Sequence, residues 1–136
     1  MSQPLGLEAQ QGNQLFIQQV TIPSGTAVSE MIPLQGMSLV GIFTPTNGWT
    51  AAAIGFQVGW DASPAAMVNM YDNAGALEQC LVSTDAAAAS IYIAFPTTDA
   101  IFAPWLRLTS VVANATTAAN QAAARVLTLM CRRYLS

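Results

Sequence analysis

Between positions 53 and 60 the chain reads Ala-Ile-Gly-Phe-Gln-Val-Gly-Trp, and this octapeptide constrains the fold more than any other segment. Ile54, Phe56, Val58 and Trp60 share one parity, while Ala53, Gly55, Gln57 and Gly59 share the other. A period of two puts the sets on opposite faces of a β-strand, and no helical stripe fits the pattern. The large residues, Trp60 among them, are predicted to face the core. The second face is almost bare of side chains, and glycine inside a strand marks a bend or a close backbone approach. Another strand layer or a neighbouring subunit is expected against Ala53, Gly55, Gln57 and Gly59.

The rest of the chain repeats this rhythm of short β-like runs and turn signals. Runs at 15–22, 27–32 and 38–43 are punctuated by Pro23-Ser24-Gly25, Pro33, Gly36 and Pro45 with Asn47-Gly48. Residues 67–71 and 76–82 read as a hairpin around Asp72-Asn73-Ala74-Gly75, a cluster of turn formers. Four alanines at 86–89 are too few to nucleate a helix and are expected to be a loop entering the run of Ile91, Ile93 and Phe95. Residues 105–110 and 126–133 complete the set, with Leu106, Leu108, Leu127, Leu129 and Cys131 inward, and 111–124 is a loop or a short helical turn. Eight or nine strands in 136 residues fit an all-β, single-domain antiparallel β-sandwich or jelly roll over 15–136. Residues 1–14, rich in Gln and Gly and without periodicity, are expected to form an extended N-terminal arm.

Chemistry is limited by what the chain lacks. It has no His and no Lys, which removes His-based triads, His metal ligands, Schiff bases and P-loops. Carboxylates are the remaining acid–base groups. Asp61 and Asp72 are the pair to consider, as a glycosidase-like couple or, with Asn73, as oxygen ligands for Ca²⁺. Their positions beside strands predict turn-making roles instead: Asp61 ends its strand and Asp72 makes an Asx-turn. No enzyme activity, no cofactor and no metal are expected. Cys80 and Cys131 lie in separate apolar contexts and are expected to be free thiols, though a disulfide between them is possible.

Only 8% of residues are charged and the net charge is −3. Arg107, Arg125, Arg132 and Arg133 are too few for phosphate neutralisation, so no nucleic-acid partner is expected. No apolar run reaches the ~20 residues that span a bilayer, and the N-terminus does not read as a signal peptide, so no membrane partner is expected and synthesis is assigned to the cytoplasm. A surface with so little charge opposes self-association weakly, which favours a subunit whose surface is covered by neighbours. Trp49, following Asn47-Gly48, is expected to be exposed and available for stacking on a sugar or a partner, and Trp105 and Arg107 share a face suited to a cation–π contact. The Asn114-Ala115-Thr116 sequon is a coincidental match in a chain read as cytoplasmic.

Several segments resemble small virion proteins of tailed bacteriophages. They are Val20-Thr21-Ile22-Pro23-Ser24-Gly25, Leu39-Val40-Gly41-Ile42, Trp49-Thr50-Ala51-Ala52 with Phe56-Gln57-Val58, Tyr71-Asp72-Asn73-Ala74-Gly75, Trp105-Leu106-Arg107-Leu108-Thr109-Ser110, and Asn120 through Leu129. The resemblance spans 18–135 and rests on strand and turn motifs. It implies a jelly-roll capsid decoration (cement) protein on the outer capsid surface that braces the major capsid protein lattice as a homo-oligomer, usually a trimer. Tail, baseplate or fibre modules with a receptor- or glycan-binding role use similar domains and are the alternative. Under the capsid assignment, Gln3, Leu5 and Leu7 of the arm would order on the capsid, and the bare face of 53–59 would pack near a symmetry axis.

Overall fold

The computed structural model describes residues 15–45, 48–83, 89–95 and 101–133. The expected arm, with Gln3, Leu5 and Leu7, and most of the alanine run at 86–89 lie outside the described residues. Within them the chain forms nine strands and one 3-10 turn: β1 (Leu15–Ile22), β2 (Ile32–Pro33), β3 (Met37–Phe43), β4 (Ala53–Gly59), the turn Pro64–Ala66, β5 (Val68–Asn69), β6 (Gln79–Cys80), β7 (Tyr92–Ala94), β8 (Trp105–Val111) and β9 (Arg125–Arg133). One antiparallel sheet has the order β1-β9-β3-β7, and the other β2-β8-β4-β5, with β6 also on β4. The sheets stack as a β-sandwich.

β5 and β6 pair with opposite ends of one side of β4, Val68 with Val58 and Cys80 with Ile54, so together they act as one interrupted strand. Counted so, the pairs nest: β1 with β9, β2 with β8, β3 with β7, β4 with β5/β6. A long antiparallel ribbon wound on itself gives this nesting, and it is the jelly-roll topology.

The inner rows follow from sequence parity. Val20 and Ile22 of β1, Ile54 and Phe56 of β4, Leu106 and Leu108 of β8, and Leu127, Leu129 and Cys131 of β9 are all buried in one cluster. Strand β3 carries two inward residues of unlike parity, Leu39 and Ile42, which face Cys131 and Leu129. Three steps on β3 therefore match two on β9, and the register shifts between Leu39 and Gly41 to accommodate it.

Two expected strand elements differ, while 111–124 falls within its expectation. The run at 27–32 lies beside β8, but only Val28 forms a bridge, with Thr109, before the two-residue β2. Ser29 explains the break, because its Oγ accepts the Leu108 N–H at 2.9 Å in place of a ladder carbonyl. Pro33 closes β2 from within rather than stopping the strand before it, which an edge position tolerates. The hairpin of 67–82 is reduced to a Tyr71–Leu77 bridge in an excursion around Asp72, because the residues on either side pair with β4. The 111–124 segment is a loop, with Val111 bridged to Ala118.

Leu108 is fully buried among residues of both sheets. Leu108→Ala should cost about 2–5 kcal/mol, read as a lower midpoint in chemical denaturation. A loss below about 1 kcal/mol would mean that the two inner rows are not packed as described.

Candidate functional site

The nested topology sends the β1–β2, β3–β4, β6–β7 and β8–β9 connections to one end of the sandwich. Gln121, from the β8–β9 loop, holds this end together and is 0% exposed. Its Oε1 accepts the Thr50 N–H at 2.9 Å and the Arg125 Nε–H at 3.2 Å. Its Nε2 donates to the Thr50 carbonyl at 3.1 Å and to Ser110 Oγ at 2.8 Å. The main chain of Gln121 adds a donation to the Thr26 carbonyl and accepts the Gly25 N–H. One side chain and its backbone thus join three loops to β8 and β9. A buried amide needs every one of these partners.

A cavity of about 460 Å³ opens at this end between Trp49, Ala52, Leu81, Val82, Val112 and Ala119. Among the described residues no carboxylate or guanidinium lines it. The two candidate carboxylates lie elsewhere. Asp61 Oδ1 accepts the Ser63 N–H at 2.9 Å, and Asp72 Oδ1 accepts those of Ala74 and Ala76 at 2.9 and 2.8 Å. Both make the turns expected of them. Among the described residues no cluster of three or more His, Cys, Asp or Glu can hold a metal.

The tryptophans exchange their expected places. Trp49 is only 5% exposed, because the β3–β4 connection folds back over the core, and its Nε1–H is satisfied by the Ala52 carbonyl at 3.0 Å. Trp60 is 70% exposed: β4 ends at Gly59, and the Asp61 turn carries the chain away one residue later. Trp105 and Arg107 do share a face, but the Arg107 guanidinium donates to Gln57 Oε1 at 2.6 Å, and the Gln57 amide continues to Asn69.

The small-residue face of β4 is largely covered by the chain itself. A Cβ on Gly55 would strike the Thr109 hydroxyl, and one on Gly59 would lie 2.6 Å from the Met67 sulfur. Ala53, Gly55 and Gly59 are therefore buried within the subunit, and Gln57 remains half-exposed in its polar ladder. The close approach expected of these glycines is present, with intramolecular partners.

The surface that sequence reasoning missed is the outer face of β1-β9-β3-β7. The register places Leu15, Ile17, Gln19 and Thr21 beside Val126, Thr128, Met130 and Arg132, and continues through Gly41 and Phe43 to Tyr92 and Ala94. Leu15, Ile17, Phe43, Tyr92 and Val126 are exposed, and the Phe43 and Tyr92 rings contact each other at 4.5 Å between centroids. Arg132 is the single charge among these residues. The signal was present in β1, where Leu15 and Ile17 are apolar on the parity opposite to Phe16, Val20 and Ile22. At the end where the chain enters β1, Arg133 lies over the Phe16 ring, 5.1 Å from its centroid.

Cys80 and Cys131 are free thiols. Burial, reinforced at Cys80 by the Glu78 charge, pushes the Cys80 thiol up to about 12, and burial raises that of Cys131. Both are held as the neutral, unreactive form.

No protein-family model matches the chain, and no curated protein matches it. Among solved structures, it is similar to one described as "CBM32 of AlyQ in complex with 4,5-unsaturated mannuronic acid", at 13% identity and a TM-score of 0.41, over 87% of this chain and 78% of that one. Among the described residues no helix is long and apolar enough to cross a membrane.

Two outcomes follow from these sites. Gln121→Leu keeps the volume but strips the amide bonds, and should cost about 2–4 kcal/mol, lowering the melting temperature by about 10 °C; a shift below about 2 °C would remove Gln121 from its central role. Thiol labelling at pH 8 should be slow in the folded protein and complete on denaturation. The thiol contribution to stability should be full below pH 9, the ordinary value, and lost as pH rises toward about 12, since the unfolded chain ionises first. Fast labelling of the native protein would contradict the burial of Cys131 and the half-burial of Cys80.

Proposed function

We propose that the chain is a structural virion protein that decorates and stabilises a bacteriophage capsid by bracing the major capsid protein lattice, from the outer capsid surface and without a catalytic role. The observation that carries this reading is the outer face of β1-β9-β3-β7. It exposes Leu15, Ile17, Phe43, Tyr92 and Val126 around a single charge, Arg132. Exposed apolar side chains gathered on one sheet face favour a contact with another protein, and a chain with 8% charged residues has little to hold such surfaces apart. The buried hydrogen bonds by which Gln121 ties the loops together suit a brace. The segments resembling small virion proteins supply the capsid as partner, with the major capsid protein and further copies of this chain as neighbours.

A second reading is a phage tail, baseplate or fibre module that binds a receptor or glycan. The exposed indole of Trp60 favours it, since an accessible aromatic ring suits a sugar face.

Capsids lacking the protein should bind it on co-sedimentation and gain resistance to heat, and Phe43→Asp with Tyr92→Asp should weaken binding at least about tenfold, or ~1.4 kcal/mol. Failure to bind capsids, together with a glycan signal lost in Trp60→Ala, would replace the first reading with the second.

A further inference from the structure

We propose that the open edge of β1 is a homotypic docking strand, onto which a second copy of this chain adds its own β1, antiparallel, about a two-fold axis at Ile17. The inference rests on the self-assembly included in the function proposed above and names the contact that would mediate it.

Among the described residues the sandwich has four sheet edges, and three are blocked. β7 has three residues, β2 has two and ends in Pro33, and the β5/β6 edge is broken into two-residue pieces by the excursion of 70–78. Short, interrupted or proline-bearing edges are how β proteins prevent edge pairing. β1 differs on each count. It has eight residues, Leu-Phe-Ile-Gln-Gln-Val-Thr-Ile, with no charge, proline or glycine, and its register against β9 is unbroken from Leu15 to Ile22.

The hydrogen-bonding groups of this edge can be assigned. The Thr21 N–H donates to Glu30 Oε1 at 2.7 Å, so it points away from β9. Alternate residues of an antiparallel strand share a direction, and the N–H and C=O groups of Leu15, Ile17 and Gln19 therefore point outward as well. The Gln18 amide donates to the Gln19 carbonyl at 3.3 Å along this exposed side. Glu30 occupies the upper end of the edge, which leaves Leu15, Ile17 and Gln19 for an incoming strand. A two-fold pairing that uses all three has Ile17 at its centre, opposite its own copy, with each Leu15 opposite a Gln19.

Two features favour a second copy over another strand. An isologous contact needs one patch that complements itself, and a neutral strand meets its own copy without like-charge repulsion. The antiparallel arrangement also brings the Glu30 end of one copy toward the Leu15 end of the other, where Arg132 pairs across from Leu15 on β9. Opposite charges thus gather at both ends of the pair. Edge addition of this type is a general mode of β-sheet recognition. It makes a two-fold contact, distinct from the three-fold one that the phage resemblance implies.

Sedimentation velocity of the full chain at about 50 µM, above a micromolar dissociation constant, should show a dimer or an even-numbered assembly. Ile17→Lys should raise the dissociation constant at least about 100-fold, or ~2.7 kcal/mol, while Thr128→Lys, on the same face but inside the sheet, should leave it within about threefold, or ~0.6 kcal/mol. Circular dichroism of the Ile17→Lys monomer should retain the β-sheet spectrum. Mild oxidation of Ile17→Cys should yield a disulfide-linked dimer on a non-reducing gel, with the parent chain, which carries Cys80 and Cys131, as the uncross-linked control. A wild-type monomer at that concentration, or a trimer indifferent to Ile17→Lys, would overturn the proposal. A monomer that still binds capsids would do so while leaving the capsid function standing; an Ile17-dependent dimer that ignores capsids would support the edge contact and remove the capsid function.

Discussion

β8 and β9 each lie in the interior of a sheet, and the buried rows they contribute to the shared core are the constraint on which the rest of the structure depends. Leu106 and Leu108 of β8 and Leu127, Leu129 and Cys131 of β9 are at most 1% exposed. Four earlier strands dock on this pair: β2 and β4 flank β8, and β1 and β3 flank β9; β5 and β6 then add to β4, and β7 to β3. The two strands come last in the sequence, so the sandwich closes when residues 105–133 are placed. Gln121 sits in the loop between them and joins that loop to the β1–β2 and β3–β4 connections. A buried polar side chain is tolerated there because each of its hydrogen-bonding groups meets a partner.

With the interior closed in this way, the distribution of exposed apolar residues acquires meaning. A chain that buries both faces of β4, one against the opposite sheet and one beneath Thr109, Val111 and Met67, has the material to cover its surfaces. Yet the outer face of β1-β9-β3-β7 stays open and almost free of charge. The same sheet ends in the one long edge strand. Apolar face and open edge meet at Leu15 and Ile17, which is why the proposed role rests on this part of the surface. Asp61 and Asp72, by contrast, are tied into turns, where each carboxylate accepts main-chain N–H groups.

Much of the fold was legible because alternation survives in the long strands, broken only by the register shift in β3. β1, β3, β4, β8 and β9 stand within a residue or two of their expected bounds, and the inward parity of Leu127, Leu129 and Cys131 is as expected. What failed depends on tertiary context. Parity alone placed Trp60 inside, but the strand ends before it; the Asn47-Gly48 turn signal placed Trp49 outside, but its loop folds over the core. Ser29 breaks a strand by supplying a side-chain oxygen where a carbonyl was expected. The bare face of β4 announced a close approach correctly, while the identity of what approaches, Thr109 and Met67, lies far along the chain. The exposed face of β1 was harder to see, because a strand apolar on both parities reads as a core strand.

The role proposed for this chain is that of a contact-making subunit of a virion surface. Electron cryo-microscopy of virions carrying a tagged copy of the chain tests it most directly. The account predicts density for the sandwich at regular positions on the capsid exterior, with β1-β9-β3-β7 turned toward neighbouring protein. Density confined to the tail, or sandwiches whose β1-β9-β3-β7 face is bare to solvent, would contradict it.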